Sequence, residues 1–180
     1  MRVFRAGLFA LLLYIAATLL PTLAHADPLP RERVPEISLP VSPVKLSAKF
    51  GESGSYWGGV PHSGLDFDGN TGDPIYAVAA GVVREVATRG SYGRTITIAH
   101  GDGVASMYAH LASTEVKVGQ QVKSGERIAQ MGATGNVSGS HLHLEIQLRG
   151  APTDPYGFLF AANPGSVSEP PGWACRIYGC

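Results

Sequence analysis

Five side chains have the types and grouping needed to bind and work a divalent metal. They are His62 and Asp66 in His-Ser-Gly-Leu-Asp, His110 in Tyr-Ala-His-Leu, and His141 and His143 in His-Leu-His. Imidazole nitrogens and carboxylate oxygens suit Zn²⁺, and a hydrolytic zinc site keeps one coordination position for water. Histidines beyond the ligand set titrate near neutral pH and can move protons. This inventory points to an enzyme.

The spacings decide what can converge. On a strand, residues two apart share a face, so His141 and His143 point the same way while Leu142, Leu144 and Ile146 line the other side. His62 and Asp66 share a face on either a helix or a strand. Pro61 and Gly64 disfavour the helix, so an extended segment is expected. Asp68 has the same parity as Asp66 and competes as a ligand, although its place before Gly69-Asn70 reads as a turn carboxylate. His110 follows Tyr108 on an expected strand. His100 precedes Gly101-Asp102-Gly103 and reads as a turn residue.

These residues need a scaffold. Strand candidates are Val44 to Phe50, a hairpin of Ile75–Ala80 and Val82–Val86 around Gly81, Arg94 to His100, Val104 to Leu111, Thr114 to Val118, Glu126 to Met131 and His141 to Leu148. Close-set strands joined by glycine turns predict an all-β, compact antiparallel sandwich or barrel-like domain, with Gly-rich loops around a groove. Gly72-x-x-Ile75 with Gly81-Val-Val weakly resembles Gly119-x-x-Val122 with Gly125-x-x-Ile128, as though one hairpin unit were used twice. Pro152 to Pro155 leaves the last strand through a turn.

Outside this core, residues 1–26 have the layout of a secretory signal peptide. Arg2 and Arg5 precede an apolar run to about Leu20, and Ala24-His25-Ala26 supplies the cleavage site. Cleavage leaves 154 of the 180 residues, enough for one domain, expected to be soluble outside the cytoplasm. Residues 27–43 form a Pro-rich lead-in, 44–160 the domain, and 161–180 a tail. Cys175 and Cys180 are the two cysteines; in an oxidising compartment they are expected to pair. Without Arg2 and Arg5 there are 12 basic against 14 acidic side chains. No nucleic-acid partner and no attachment to an anionic membrane is expected from that balance.

Taken together, His62-x-x-x-Asp66, Tyr108-Ala-His110-Leu111 and His141-Leu-His143 resemble the LytM/lysostaphin-type zinc endopeptidases of bacterial cell walls. The flanks match as well: Gly72-Asp-Pro74, Ala79-Ala-Gly81-Val-Val, Gly119-Gln-x-Val122-x-x-Gly125, and Gly132-x-Thr134-Gly135 before Ser140-His141. The resemblance covers about residues 45–160. It implies one zinc per chain held by His62, Asp66 and His143, with His110 and His141 flanking the water as proton acceptor and oxyanion donor in either order. It implies a secreted, monomeric endopeptidase that cuts peptide cross-links or stem peptides of peptidoglycan, in the periplasm or cell wall. A non-catalytic wall-binding module or amidase activator on the same fold is the alternative; family members of that kind lack ligands, and this chain lacks none. Tyr56, Trp57 and Tyr92 are candidate groove walls. Glu52 stands near a point where many relatives carry a basic residue, which bears on substrate preference. A biotinyl- or lipoyl-type carrier would need a modifiable lysine at a hairpin tip, which neither Lys117 nor Lys123 provides.

Overall fold

The computed structural model describes residues 36–54 and 58–160. The expected signal peptide, the Cys175–Cys180 pairing, Tyr56 and Trp57 lie outside the described residues.

Among the described residues, eleven strands form two antiparallel sheets. They are β1 (Leu46–Ala48), β2 (Leu65–Asp68), β3 (Pro74–Tyr76), β4 (Gly81–Arg89), β5 (Gly93–Gly101), β6 (Val104–Ala109), β7 (Ser113–Thr114), β8 (Gln121–Val122), β9 (Arg127–Gln130), β10 (His141–Leu148) and β11 (Ala151–Thr153). The large sheet runs β1-β2-β10-β6-β5-β4-β8, and the small one β3-β9-β7. One edge of β10 is shared end to end: β2 pairs with residues 141–144, and β11 with 146–148. The all-β antiparallel expectation therefore holds.

One apolar cluster draws on both sheets. Leu65 and Phe67 of β2, Leu142 and Leu144 of β10 and Ile96 and Ile98 of β5 join Ile75 of β3 and Ile128 of β9, all fully buried. Removing each such side chain from water contributes about 1.5–3 kcal/mol. Alternation is what makes this compatible with a polar site. In β2 the core takes Leu65 and Phe67 and leaves Asp66 and Asp68 on the opposite face.

The hairpin expected around Gly81 does not form. β3 pairs with β9 in the small sheet, whereas β4 pairs with β5 and β8 in the large one. Ala77, Val78 and Ala79 between them are buried, so this stretch crosses the core between sheets instead of turning at the surface. An uninterrupted Ala/Val run has no alternation to reveal that crossing. The β8–β9 segment also passes from the large sheet to the small one, but by an exposed turn at Lys123–Gly125. Since β3 pairs with β9 and β4 with β8, the two weakly similar segments clasp one another.

Two features go beyond the sequence expectations. The chain after β11 forms a short helix, α1 (Pro155–Phe160), which buries Tyr156, Leu159 and Phe160. Its first turn is capped by Asp154, whose Oδ1 accepts the Tyr156 amide at 2.9 Å, and proline suits its first position. Six residues are too few to show a helical period. At the other end, the described part of the Pro-rich lead-in packs on the domain. Val41 is buried, Ile37 and Leu39 lie against the core, and Ser38 and Pro40 bond the backbone of Val78 and Tyr76 at 2.8 and 2.9 Å.

Candidate metal centre

The pairing of β2 with β10 builds the centre. Their register sets Asp66 opposite His143 and Asp68 opposite His141. Gly64 permits this approach, because a Cβ there would fall on the Leu144 carbonyl oxygen. His62 lies on the preceding loop. That loop is held by hydrogen bonds from the His62 amide to Glu52 O and from the Gly51 amide to His62 O, both 2.8 Å.

His62, Asp66 and His143 converge with their side chains buried. His62 Nε2 lies 3.0 Å from His143 Nδ1 and 3.1 Å from Asp66 Oδ1, and His143 Nδ1 lies 2.8 Å from the same oxygen. His110 and His141 close the other side, their ring centroids 4.6 Å apart. His141 Nε2 is 3.9 Å from Asp66 Oδ2. The five residues singled out in the sequence therefore meet at one place, although they come from two strands and two loops.

The outward nitrogens assign the tautomers. Nδ1–H donates to Lys49 O at 2.7 Å in His62, to Thr134 O at 2.9 Å in His110, and to Gly139 O at 3.0 Å in His141. In His143 the order is reversed: Nε2 faces Glu145 Oε1 and Ser63 Oγ, each at 3.5 Å, leaving Nδ1 to face Asp66. In its neutral form each imidazole thus spends its proton outside the cluster and turns a lone pair inward, and a second, shared proton is what lets His62 or His143 hydrogen-bond to Asp66. Two such lone pairs and a carboxylate oxygen within about 3 Å repel unless a proton or a cation lies between them. Two imidazoles and one carboxylate are a donor set that zinc accepts, with a fourth position left for water.

The electrostatics follow. Burial alone would raise the Asp66 pKa, but hydrogen bonds from His143 and His62 outweigh it and hold the carboxyl well below its ordinary range. Burial opposes charge on His143, and its hydrogen bonds to Asp66 and Glu145 overcome that and raise its pKa. His110 goes the other way: burial, only partly offset by the bond to Thr134, takes it down to about 4. At neutral pH it is a base with a vacant Nε2. His110 also has φ 62°, a region that non-glycine residues seldom occupy.

Above these residues is a groove of ≈ 750 Å³, walled by the Gly58–Ser63 loop, by Asn136–Ser140 and by Tyr92. Among its described lining residues the charged groups other than histidine are Asp66 and Asp68. Asp68 is at the rim and pairs with Lys45 Nζ at 2.9 Å, outside the converging triad. His100 is elsewhere, between Ala80 O and Ser106 Oγ at 2.9 and 2.8 Å. One residue escaped the sequence reading. Glu145 shares the parity of His141 and His143 on β10, is 2% exposed, and is held down to about 2: burial would raise it, but its bond to His143 leads the effects that lower it. Period-two counting carried one step past His143 puts it on the same face, but does not mark it as functional.

Comparison with known proteins places this geometry. The model of peptidase family M23 matches residues 60–155. The peptidoglycan DD-endopeptidase ShyB of Vibrio cholerae is 41% identical over 95 residues, covering 53% of this chain and 22% of the relative. A zinc-containing peptidase from Vibrio cholerae has a crystal structure similar to this one at a TM-score of 0.60 and 36% identity, over 64% of this chain and 37% of that one. The catalytic domain of lysostaphin from Staphylococcus simulans matches at a TM-score of 0.61 and 32% identity, over 64% of this chain and 92% of that one. The curated relatives are much longer proteins, and the match spans less than a third of each.

Proposed function

The chain belongs to peptidase family M23, and from that premise we propose that it is a zinc-dependent endopeptidase of the cell envelope, hydrolysing peptide bonds in peptidoglycan cross-links or stem peptides. The observation that carries the proposal is the set of inward-facing ring nitrogens of four histidines around Asp66. A binding module has no need for two imidazoles that are free of the triad and turned towards it. The DD-endopeptidase name of the Vibrio relative supports a cross-link between D-residues as the bond cut. The signal-peptide layout of residues 1–26 supports action in the periplasm or cell wall, and we take the working unit to be a monomer.

His62, Asp66 and His143 would hold the zinc, one ion per chain. When bound, zinc lowers the pKa of a water towards ~7 and polarises a carbonyl. The chain's own residues do the rest. The groove receives an extended peptide and aligns the scissile carbonyl with the triad. His110 Nε2, neutral because the imidazole is buried, accepts the proton of the attacking water. His141, whose Nδ1–H is held by Gly139 O, is placed to donate to the oxyanion from Nε2 when that nitrogen carries a second proton, as the carbonyl carbon becomes tetrahedral. The proton then passes to the leaving amine, which completes hydrolysis with atoms and charge balanced.

The test is incubation with peptidoglycans of defined cross-link, with and without a chelator, followed by identification of the released ends. New amino and carboxyl termini from one bond type, lost on chelation and restored by zinc, are expected. Binding to the polymer with no new termini would overturn the proposal.

A further inference from the structure

Glu145 is a carboxylate sealed beneath the metal centre. Its Oε1 accepts from the Tyr92 hydroxyl at 3.0 Å and faces His143 Nε2 at 3.5 Å, while Oε2 accepts from Gln147 Nε2 at 2.7 Å. The Tyr92 hydroxyl lies 3.2 Å from Ser63 Oγ, and its ring centroid is 5.5 Å from that of His143. Ser63 in turn adjoins His62. A buried carboxylate is costly unless donors satisfy it, and beside Tyr92 and Gln147 the ring nitrogen that faces Glu145 is His143 Nε2.

We propose that Glu145 is a positioning residue of the metal centre: it fixes His143 in the Nε2–H tautomer, turns Nδ1 towards the ion, and raises the basicity of that nitrogen. Tyr92 and Gln147 hold the carboxylate in place from two sides. Tyr92 thereby has a role beneath the groove as well as in its wall. The contact of 3.5 Å is at the long end for a hydrogen bond, so the negative charge contributes more than the shape of the bond. A ligating imidazole whose other N–H meets a carboxylate binds metal more tightly. The inference rests on the reading that His62, Asp66 and His143 bind zinc.

Glu145→Gln separates charge from shape, because the amide oxygen still accepts a hydrogen bond. Zinc affinity is measured on the full chain by competition with a chelator, and melting temperature with and without zinc. The expected result is about 10–100-fold weaker zinc binding and a smaller rise in melting temperature on adding zinc. A residue that only satisfies its neighbours would lower both melting temperatures equally and leave affinity unchanged, which would overturn the inference. If Glu145→Gln does not fold, Tyr92→Phe removes one support of the carboxylate: a smaller loss of affinity supports the inference, and none overturns it. Wild-type chain that binds no zinc defeats the metal reading itself. Wild-type chain that binds zinc, lost in His143→Ala but unmoved in Glu145→Gln, defeats this inference alone.

Discussion

The large sheet carries two histidine networks, and they differ in their balance of donors and acceptors. Around His100 every proton has a place. Nδ1–H goes to Ala80 O, Nε2 meets the Ser106 hydroxyl, and the Tyr108 hydroxyl, 3.1 Å from Ser106, accepts the Val78 amide at 2.8 Å. All partners are neutral, and burial lowers the His100 pKa. Around His143 acceptors outnumber donors. Two carboxylates and two imidazole lone pairs converge there, and the surplus suits a cation. The first network closes a core; the second is built to be completed from outside. A histidine on a strand thus takes its meaning from its partners, not from its position.

The largest expected effect breaks the second network at its centre. His143→Ala should lose zinc affinity by at least about 100-fold together with all activity, as read by metal analysis and release of peptidoglycan ends. Next come the two imidazoles outside the triad. His110→Ala and His141→Ala should keep stoichiometric zinc while kcat falls by about 10²–10⁴-fold; full activity in either variant would remove it from the proton-handling role. Gly64→Ala drives a methyl group into the Leu144 carbonyl and should cost about 1–3 kcal/mol, with weaker zinc binding because it displaces the His62–Asp66 segment. The smallest effect belongs to the first network. Tyr108→Phe strands the buried Val78 amide, costs about 1–3 kcal/mol in denaturant unfolding, and leaves zinc content unchanged. A change in zinc content there would erase the distinction between the two networks.

Much of this was legible because strand parity acts locally. His-Leu-His-Leu and Leu-Asp-Phe-Asp each declare a polar and an apolar face, and the observed register needs only to bring them together. What stayed hidden depends on contacts distant in sequence. The Ala77–Ala79 passage between sheets is decided by β9 and β8, some 45 residues away. The tautomers depend on Lys49, Thr134 and Gly139 carbonyls, which carry no side-chain signal. Glu145 was missed for a different reason: its parity was visible, yet a lone acidic residue on a strand declares nothing until its burial and its contact with His143 are known.

The central claim is that a nitrogen–oxygen donor set on the sheet holds the ion. X-ray absorption at the zinc edge of the purified full chain, with metal analysis on the same sample, tests this most directly. The prediction is one zinc per chain in a shell of nitrogen and oxygen donors, with imidazole scattering from two histidines that falls when His143 is replaced. Sulfur scattering from Cys175 and Cys180, or zinc well below one per chain, would contradict it.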